Sequence, residues 1–220
     1  MTKNLYEIVD CGITDYEENR VYQKQLFKQR RDGIIGDTLV VTRHEPTITM
    51  GKSADEQDLL VSKSSLPERG VAMYYVERGG GITYHDPGQI VLYPIFDLRG
   101  YHKDLREFVH RLGKTMMDSS KHFGLDVELR TGDQVGLWIA GQNKKLGSIG
   151  VHVKNWVTMH GLALNLDLDR SKSRLIRPCG LEDVQYVSLT DYVDLALAEV
   201  QGILLQYFER NFLSFRRRNE

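Results

Sequence analysis

Residues 78–94 read RGGGITYHDPGQIVLYP, a glycine triplet followed by a turn and a long apolar run. The glycines at 79–81 allow positive φ angles and a close approach of the backbone to a ligand. The DPG sequence at 86–88 predicts a turn before the next strand. A phosphate loop is excluded, because the lysine and Ser/Thr of GxxxxGK[ST] are missing and GxGxxG is not met. A bulged hairpin and a binding loop both fit, and the polar side chains of Arg78 and His85 at its ends favour the binding loop.

Apolar and β-branched runs predict strands on both sides of this loop. VAMYYVER and QIVLYPIFDL are expected to be long, well-buried strands that flank it. Upstream, TLVVT and TITMG are separated by RHEP, which predicts a hairpin or a strand-loop-strand. Downstream, DVELR, GLWIA and KLGSIGVHV are strand-like, and GQNKK is a polar turn between the last two.

Apolar residues at helical spacing predict three helices. Their expected bounds are 14–33, 103–124 and a start near Ser188. Thr14 and Glu17 have the spacing of a capping box, and Gly33 and Gly124 are expected helix ends. The strands come in clusters between a few helices, without strict βαβ alternation. The sequence therefore predicts an α+β fold with a mixed or largely antiparallel sheet.

The composition limits the class of protein. A chain of 220 residues suits one domain, expected to cover 1–220. Its 29 Lys and Arg nearly balance 30 Asp and Glu, which does not indicate a nucleic-acid binder. Two cysteines are too few for a disulfide framework. The start MTKNLYEIVDCG lacks the apolar run of a signal peptide, and no apolar stretch of roughly 18 residues is present. We expect a cytoplasmic protein that binds neither nucleic acid nor membrane.

One cysteine, Cys179, lies between a proline and a glycine in IRPCGL. A thiol with a pKa of about 8.5 needs a cationic neighbour to become a reactive thiolate at neutral pH. Lys145 and His160 both precede strand-like runs, and spacing alone does not decide between them. Each of the three also has an ordinary structural interpretation as a core or turn residue. Cys11 has no cationic neighbour and is interpreted as structural.

Five motifs occur in one order over about residues 37–189: RHEPTITMG, RGGGITYHDPGQIVLYP, KLGSIGVHV, MHGLALNLDLD and IRPCGL. The ordered set resembles the lipoyl(octanoyl) transferases, which move an octanoyl group from acyl carrier protein to proteins. The resemblance implies the catalytic-domain fold of the biotin/lipoate protein ligases. It implies that Cys179 takes the octanoyl group as a thioester, and that Lys145 lowers the pKa of the thiol and moves protons.

The resemblance also implies a set of substrate-lining residues, with His160 as a supporting residue beside them. The set comprises Arg78, Gly79, Gly80, Gly81, Ile82, Thr83, Tyr84, His85, Ser148, Ile149, Gly150, Gly161, Leu162 and Ala163. The implied donor is octanoyl-acyl carrier protein. The implied acceptors are lipoyl domains of 2-oxoacid dehydrogenase complexes and the glycine cleavage H protein. No cofactor, metal or ATP is required, and the basic run 170–177 is expected to guide an acidic carrier protein.

Two departures from the family pattern leave alternatives open. Asp86 stands where the family usually has glycine in YHGPGQ, and the GGG and HD elements are closer to the lipoate–protein ligases. An ATP-dependent lipoate or octanoate ligase is therefore an alternative, as is octanoyl transfer between lipoyl proteins. The ligases lack a catalytic cysteine in PCG, so Cys179 with Lys145 favours the transferase. The approach to PCG, residues 170–177, is also more basic than is usual in the family.

Overall fold

In this computed structural model, residues 6–180 and 183–215 are described, apart from the side chain of Cys179. Within these ranges the chain forms two sheets and four α-helices. The strands are β1 (Glu7–Thr14), β2 (Thr38–His44), β3 (Thr47–Met50), β4 (Ala72–Tyr75), β5 (Ile82–His85), β6 (Gln89–Ile95), β7 (Val127–Arg130), β8 (Gly136–Ile139), β9 (Lys144–Lys154), β10 (Val157–Asn165) and β11 (Gln185–Tyr186). The helices are α1 (Tyr16–Arg31), α2 (Leu105–His122), α3 (Arg170–Ser173) and α4 (Leu197–Leu213).

The large sheet has the strand order β1-β2-β6-β10-β9-β8-β7, and β11 pairs with β9. Most of its pairs are antiparallel, while β1–β2 and β11–β9 are parallel. Helices α2 and α4 cover one face, where Met116 and Phe208 are fully buried with Leu92 and Leu162 of the strands. Burial of each such side chain contributes about 1.5–3 kcal/mol. The prediction of an α+β fold with a mixed, largely antiparallel sheet is confirmed.

The small sheet, in the order β4-β3-β5, has a core of its own. Ile48 and Tyr84 alternate with Thr49 and Thr83, and the first pair packs against Ile176. Because successive strand residues point to opposite faces, the two threonines lie on the other face of this sheet. That face is turned toward the large sheet, and the space between the two sheets contains the candidate site.

The strand predictions around the glycine loop were partly wrong. QIVLYPI forms β6 and is entirely buried, as expected. VAMYYVER supplies only the four-residue β4, which is half-buried, and β5 lies inside the segment interpreted as a loop. Strands β2 and β3 belong to different sheets, so RHEP lies in a strand-loop-strand and not in a hairpin. Its first two residues end β2, and residues 45–46 form the link. Pairing partners that are distant in the chain decide these assignments, and local propensity does not contain them.

Two predicted helix starts were also wrong. Asp15, not Thr14, caps α1, because its carboxylate accepts hydrogen bonds from the N–H groups of residues 17 and 18. Ser188 caps only a single 3-10 turn, and α4 starts at Leu197. Thr190 binds the carbonyl of Leu166 through both its N–H and its hydroxyl, which ties this turn to the end of β10. The predicted ends at residues 33 and 124 are confirmed, since both glycines have positive φ.

No helix within residues 6–180 and 183–215 is long and apolar enough to cross a membrane.

Candidate active site

A narrow cavity, called the slot below, lies between the two sheets. It is lined by Tyr16, Arg78, Thr83, His85, Val91, Tyr93, Ser148, Ile149, Gly150, His160, Gly161, Leu162 and Ala163. The β9–β10 register places Ser148 opposite Ala163 and Gly150 opposite Gly161, so its floor is built of small residues. Its free volume is about 20 Å³, which holds about one water molecule. A longer ligand must therefore widen it.

The two glycines of the floor are required by close backbone approaches. A Cβ atom on Gly150 would lie 2.8 Å from Cδ of Arg78 and 3.1 Å from the carbonyl oxygen of Gly79. A Cβ atom on Gly161 would lie 2.2 Å from the carbonyl oxygen of Leu92. The motifs KLGSIGVHV and MHGLALNLDLD thus supply the small residues that this packing needs.

Arg78 covers the slot and anchors the glycine loop. It is buried, and its Nη2 donates to the carbonyl oxygen and the hydroxyl of Thr49 at 2.9 and 2.8 Å. Its Nη1 donates to the carbonyl of Gly79, whose own N–H donates to the carbonyl of Val151 on β9. Burial lowers the pKa of Arg78. The loop is thereby fastened to both sheets by hydrogen bonds.

Three buried histidines lie in or beside the slot. Nδ1 of His85 donates to Oε1 of Gln89 at 2.6 Å, and Nε2 of His44 is hydrogen-bonded to the Tyr93 hydroxyl at 2.7 Å. Burial lowers the pKa of His44 to about 4 and that of His160 to about 3, and it lowers the pKa of His85 well below its usual range. The three imidazoles are therefore neutral at pH 7. His160 cannot act as a cation that activates a thiol.

Lys145 is a buried lysine near the start of β9, three residues before Ser148 of the slot lining. Its Nζ donates to the carbonyl of Val135 at 3.2 Å and lies 5.3 Å from the ring centroid of Trp138. A carbonyl oxygen and an indole face are both favourable partners for a cation. Gly136 makes room for it, because a Cβ atom there would lie 2.9 Å from Cε of Lys145 and 2.4 Å from the carbonyl oxygen of Gly147.

Asn165 holds the backbone of Lys145 in place. Its Nδ2 donates to the carbonyl oxygens of Lys145 and Val187 at 3.3 and 2.9 Å. Its Oδ1 accepts from Nε2 of Gln89 at 2.9 Å, and Gln89 in turn binds His85. A chain of side-chain hydrogen bonds thus connects the glycine-loop segment to the lysine.

Sequence reasoning did not single out Asn165 or Gln89, although both lie inside the quoted motifs. It also missed Tyr16, Val91 and Tyr93 of the slot wall. Val91 and Tyr93 are two residues apart on β6, so their shared face was visible from strand periodicity. The periodicity did not show that this face of β6 borders a cavity.

The PCG sequence forms a single 3-10 turn, Pro178–Gly180, that lies against β5. The side chain of Cys179 is outside the described part of the structure. Residues before the turn are held by the 58–60 segment, where Arg177 donates its N–H to the carbonyl of Asp58 at 2.7 Å. After the turn, β11 places Tyr186 opposite Lys145. The cysteine turn and the lysine strand are thus brought to the same region.

The remaining predicted residues have different surroundings. Ile82 and Tyr84 pack into the core of the small sheet, and residues 79–81 contribute backbone to the loop. Ile149 and Leu162 line the slot and also belong to the large core. Asp86 is buried and accepts hydrogen bonds from the N–H groups of residues 88 and 169, both at 2.8 Å. Its carboxylate therefore secures the turn to the segment that starts α3.

A wide basic cleft opens next to the cysteine turn. Its lining includes Lys144, Arg170, Arg174, Arg177, Pro178, Tyr186 and the carboxylate of Asp191. Arg170 forms an ion pair with Asp191, and Arg177 lies 3.9 Å from the carboxylate of Asp58. The cleft thus has an excess of positive charge. Over the described residues, no group of three or more His, Cys, Asp and Glu is arranged to bind a metal ion.

Comparison with known proteins identifies relatives of the whole chain. Residues 15–209 match the family model of the lipoyl protein ligase A/B catalytic domain. The chain is 35% identical to an octanoyltransferase of Desulforamulus reducens, covering 93% of this chain and 90% of that protein. It is 35% identical to a mitochondrial octanoyltransferase of Arabidopsis thaliana, covering 90% and 83%. An octanoyltransferase of Porphyromonas gingivalis is 37% identical, and the match covers 96% of this chain but only 45% of that longer protein.

Solved structures of low sequence identity have the same fold. A bipartite lipoate protein ligase of Thermoplasma acidophilum superposes with a TM-score of 0.69 at 16% identity, covering 100% of this chain and 87% of the other. A lipoate-protein ligase A bound with ATP gives 0.72 at 15% identity, covering 100% and 89%. The biotin protein ligase of Aquifex aeolicus gives 0.54 at 11% identity, covering 97% and 72%. The expected biotin/lipoate protein ligase fold is confirmed.

Proposed function

The chain belongs to the lipoyl protein ligase A/B catalytic-domain family and, within it, to the octanoyltransferases, and we propose how it transfers the octanoyl group. The group passes from octanoyl-acyl carrier protein to Cys179 as a thioester, and then to a lysine of a lipoyl domain in lipoate biosynthesis. One observation carries this proposal: Pro178 of the cysteine turn borders the same cleft as Lys144 and Tyr186. Lys144 precedes Lys145 in the chain, and Tyr186 pairs with Lys145 in the sheet.

In the first step the Cys179 sulfur attacks the thioester carbonyl of the donor. A new carbon–sulfur bond forms, and the bond to the pantetheine sulfur breaks. Lys145 accepts the thiol proton and then, as the ammonium, donates it to the departing pantetheine sulfur. One thioester replaces another, so the step needs neither ATP nor a metal.

In the second step the amine of an acceptor lysine attacks the acyl carbonyl on Cys179. An amide forms, and the bond to the Cys179 sulfur breaks. Lys145 accepts a proton from the attacking amine and returns it to the cysteine sulfur. Because two protein substrates use the site in turn, the kinetics are ping-pong.

The neutral histidines support the lysine as the basic partner of the cysteine. Desolvation lowers the pKa of His160 to about 3, so a protonated imidazole is not available at pH 7. Nζ of Lys145 instead donates to the carbonyl of Val135 and lies over the ring of Trp138, and both are favourable partners for an ammonium group. The low pKa of His160 thus supports Lys145 over His160, two candidates that their sequence spacing left equal.

The slot supplies an apolar place for the acyl chain. Burial of about seven methylene or methyl groups at roughly 0.8 kcal/mol each contributes on the order of 5 kcal/mol. The cost of widening the slot reduces this gain, since its present free volume fits one water. The acyl chain would have to displace or pass the side chains of Thr83 and His85 on β5.

Partners follow from the chemistry and the charges. The donor is octanoyl-acyl carrier protein, and the basic cleft suits an acidic carrier that presents its thioester beside the cysteine turn. The acceptors are lipoyl domains of 2-oxoacid dehydrogenase complexes and the glycine cleavage H protein.

The test is a labelling experiment. The protein is incubated with octanoyl-acyl carrier protein, and mass spectrometry then locates any hydroxylamine-labile octanoyl adduct. We expect the adduct on Cys179, its loss in Cys179→Ala, and normal labelling in the matched Cys11→Ala control. An absent adduct, or octanoyl transfer by Cys179→Ala, overturns the mechanism. A pyrophosphate-release assay with octanoate and ATP tests the ligase alternative, which predicts release and no role for Cys179.

A further inference from the structure

The turn between β5 and β6, residues 86–88, is bonded to the segment that follows β10. The buried carboxylate of Asp86 accepts the N–H of Gly88 through Oδ1 and the N–H of Asp169 through Oδ2, both at 2.8 Å. The carbonyl oxygen of Gly88 accepts the N–H groups of residues 166 and 167 at 2.9 and 2.8 Å. Three hydrogen bonds therefore cross from this turn to a part of the chain about 80 residues away.

The segment of residues 169–177 leads from this contact to the cysteine turn. Its first residue, Asp169, caps α3, since its carboxylate accepts two N–H groups of that helix. Residues 175–176 are buried in the core of the small sheet. At its end, Arg177 donates its N–H to the carbonyl of Asp58 at 2.7 Å, directly before the cysteine turn. The segment is thus held at its start by the turn before β6 and at its end by the 58–60 segment.

The same turn also connects to the lysine. Gln89, the first residue of β6, donates its N–H to the carbonyl of Asp86 at 3.2 Å, and its Nε2 donates to Oδ1 of Asn165 at 2.9 Å. Asn165 in turn donates to the carbonyl oxygen of Lys145 at 3.3 Å. Residues 86–89 are therefore bonded to the cysteine segment on one side and, through Asn165, to β9 on the other.

We propose that Asp86 is a positioning residue for octanoyl transfer, because its carboxylate holds the segment that leads to the cysteine turn in a fixed place relative to Lys145. This inference rests on the proposed roles of Cys179 and Lys145. Loss of the bond to Asp169 would leave that N–H without its acceptor and allow the start of the segment to shift. A displacement of about 1 Å at a reacting group can cost about a hundredfold in rate. Asp86 would thus act through the segment without touching the reacting atoms.

Asparagine at this position separates the two hydrogen bonds of the carboxylate. An amide offers one acceptor oxygen, so Asp86→Asn can serve only one of the N–H groups of Gly88 and Asp169. The hydrogen bonds of the Gly88 carbonyl do not involve this side chain, so the turn should stay attached to the end of β10. We expect kcat for octanoyl transfer to fall about tenfold or more, with KM for the donor within about twofold. Asp86→Ala, which loses both bonds, should lose at least as much.

The pH profile of thiol alkylation reports the relation between the cysteine and the lysine. Iodoacetamide labelling at a series of pH values, read by mass spectrometry, gives the apparent pKa of Cys179 and of Cys11. In Asp86→Asn the pKa of Cys179 should rise toward its value in Lys145→Ala, while that of Cys11 stays unchanged. The proposal requires both the lower kcat and the shifted profile, and either one without the other overturns it.

The matched control is Asp97→Asn. Asp97 is also a buried aspartate that accepts the N–H two residues ahead, that of Arg99, as Asp86 does with Gly88. It follows β6, so roughly 20 Å of strand separates it from the turn before β6. Its kcat and its Cys179 alkylation profile should remain those of the unchanged protein. Equal effects in Asp97→Asn would indicate a general loss of stability and overturn the positioning role.

Hydrogen exchange separates this inference from the proposed reaction. In Asp86→Asn, peptides that cover residues 166–177 should exchange faster than in the unchanged protein, whether or not Cys179 carries an octanoyl adduct. Faster exchange with no adduct on Cys179 in the unchanged protein refutes the proposed reaction and leaves the fastening by Asp86 standing. An adduct on Cys179 together with unchanged exchange in the variant leaves the reaction standing and overturns the role of Asp86.

Discussion

Replacement of Asn165 by alanine tests whether the hydrogen-bonded chain beneath Lys145 positions the lysine. The substitution removes two donated hydrogen bonds, to the carbonyls of Lys145 and Val187, and one accepted from Gln89. The carbonyl oxygen of Lys145 still accepts a hydrogen bond from the N–H of Val187 at 3.0 Å. The carbonyl oxygen of Val187 loses the hydrogen bond from the Asn165 side chain. Strand β9 is then less firmly held at Lys145, three residues before it borders the slot.

The expected loss of stability follows from these contacts. A buried neutral hydrogen bond contributes about 0.5–1.5 kcal/mol net, and the 3.3 Å bond is the weakest of the three. The free energy of unfolding should therefore fall by roughly 2–3 kcal/mol, measured by urea denaturation. Catalysis should suffer more than binding, because a displacement of about 1 Å at a reacting group can cost about a hundredfold in rate. We expect kcat to fall by tenfold or more at nearly unchanged KM for the donor.

Two further variants sharpen the result. In Asn165→Asp the ionised carboxylate cannot donate to the two carbonyls, so folding raises the pKa of the introduced carboxyl group above its unfolded value. The stability of this variant should therefore improve as pH falls. Asn165→Ala should show no such pH effect. Asn211→Ala is the control, since Asn211 is a buried asparagine bonded to Asp118 between α2 and α4. It should lose stability and keep kcat. Loss of less than about 0.5 kcal/mol with kcat within twofold in Asn165→Ala would refute the reasoning.

Other consequences can be measured independently. Gly136→Ala places a Cβ atom 2.4 Å from the carbonyl oxygen of Gly147, at a residue whose φ is 147°. The free energy of unfolding in urea should therefore fall by about 1–3 kcal/mol, and octanoyl transfer should also fall. An unchanged urea midpoint contradicts this. Burial lowers the pKa of His44 from about 6.5 in the unfolded chain to about 4 in the folded protein. Below pH 6.5 the unfolded state therefore takes up a proton that the folded state does not. The free energy of unfolding should fall from pH 6.5 toward pH 4 at up to about 1.4 kcal/mol per pH unit. His44→Gln should reduce that slope, and an equal slope in both proteins would show that His44 is not the cause. Charge reversal at Arg174 and Arg177 should raise KM for acyl carrier protein several-fold at low salt and less at high salt, and an unchanged KM excludes docking at the basic cleft.

Much of the fold was accessible from local patterns. The apolar run in β6 and the helical spacing in α2 both predicted their elements, because β6 is buried on both faces and α2 buries one face in the large core. The ends that failed depend on distant partners. Thr190 ties the turn after Ser188 to Leu166, so the turn does not continue as a helix and α4 starts only at Leu197. Helix α1 begins at Tyr16, because two N–H groups of its first turn bind the carboxylate of Asp15.

The sequence by itself determined the chemical groups available: a cysteine on a stiff turn, a lysine opening a strand, and small residues at alternating positions in KLGSIG and MHGLAL. Only the tertiary structure decided their relations. Strand register set Gly150 opposite Gly161, and burial lowered the pKa values of the slot histidines so that they are neutral at pH 7. Register and desolvation both arise from segments far apart in the chain, so neither is contained in local residue spacing.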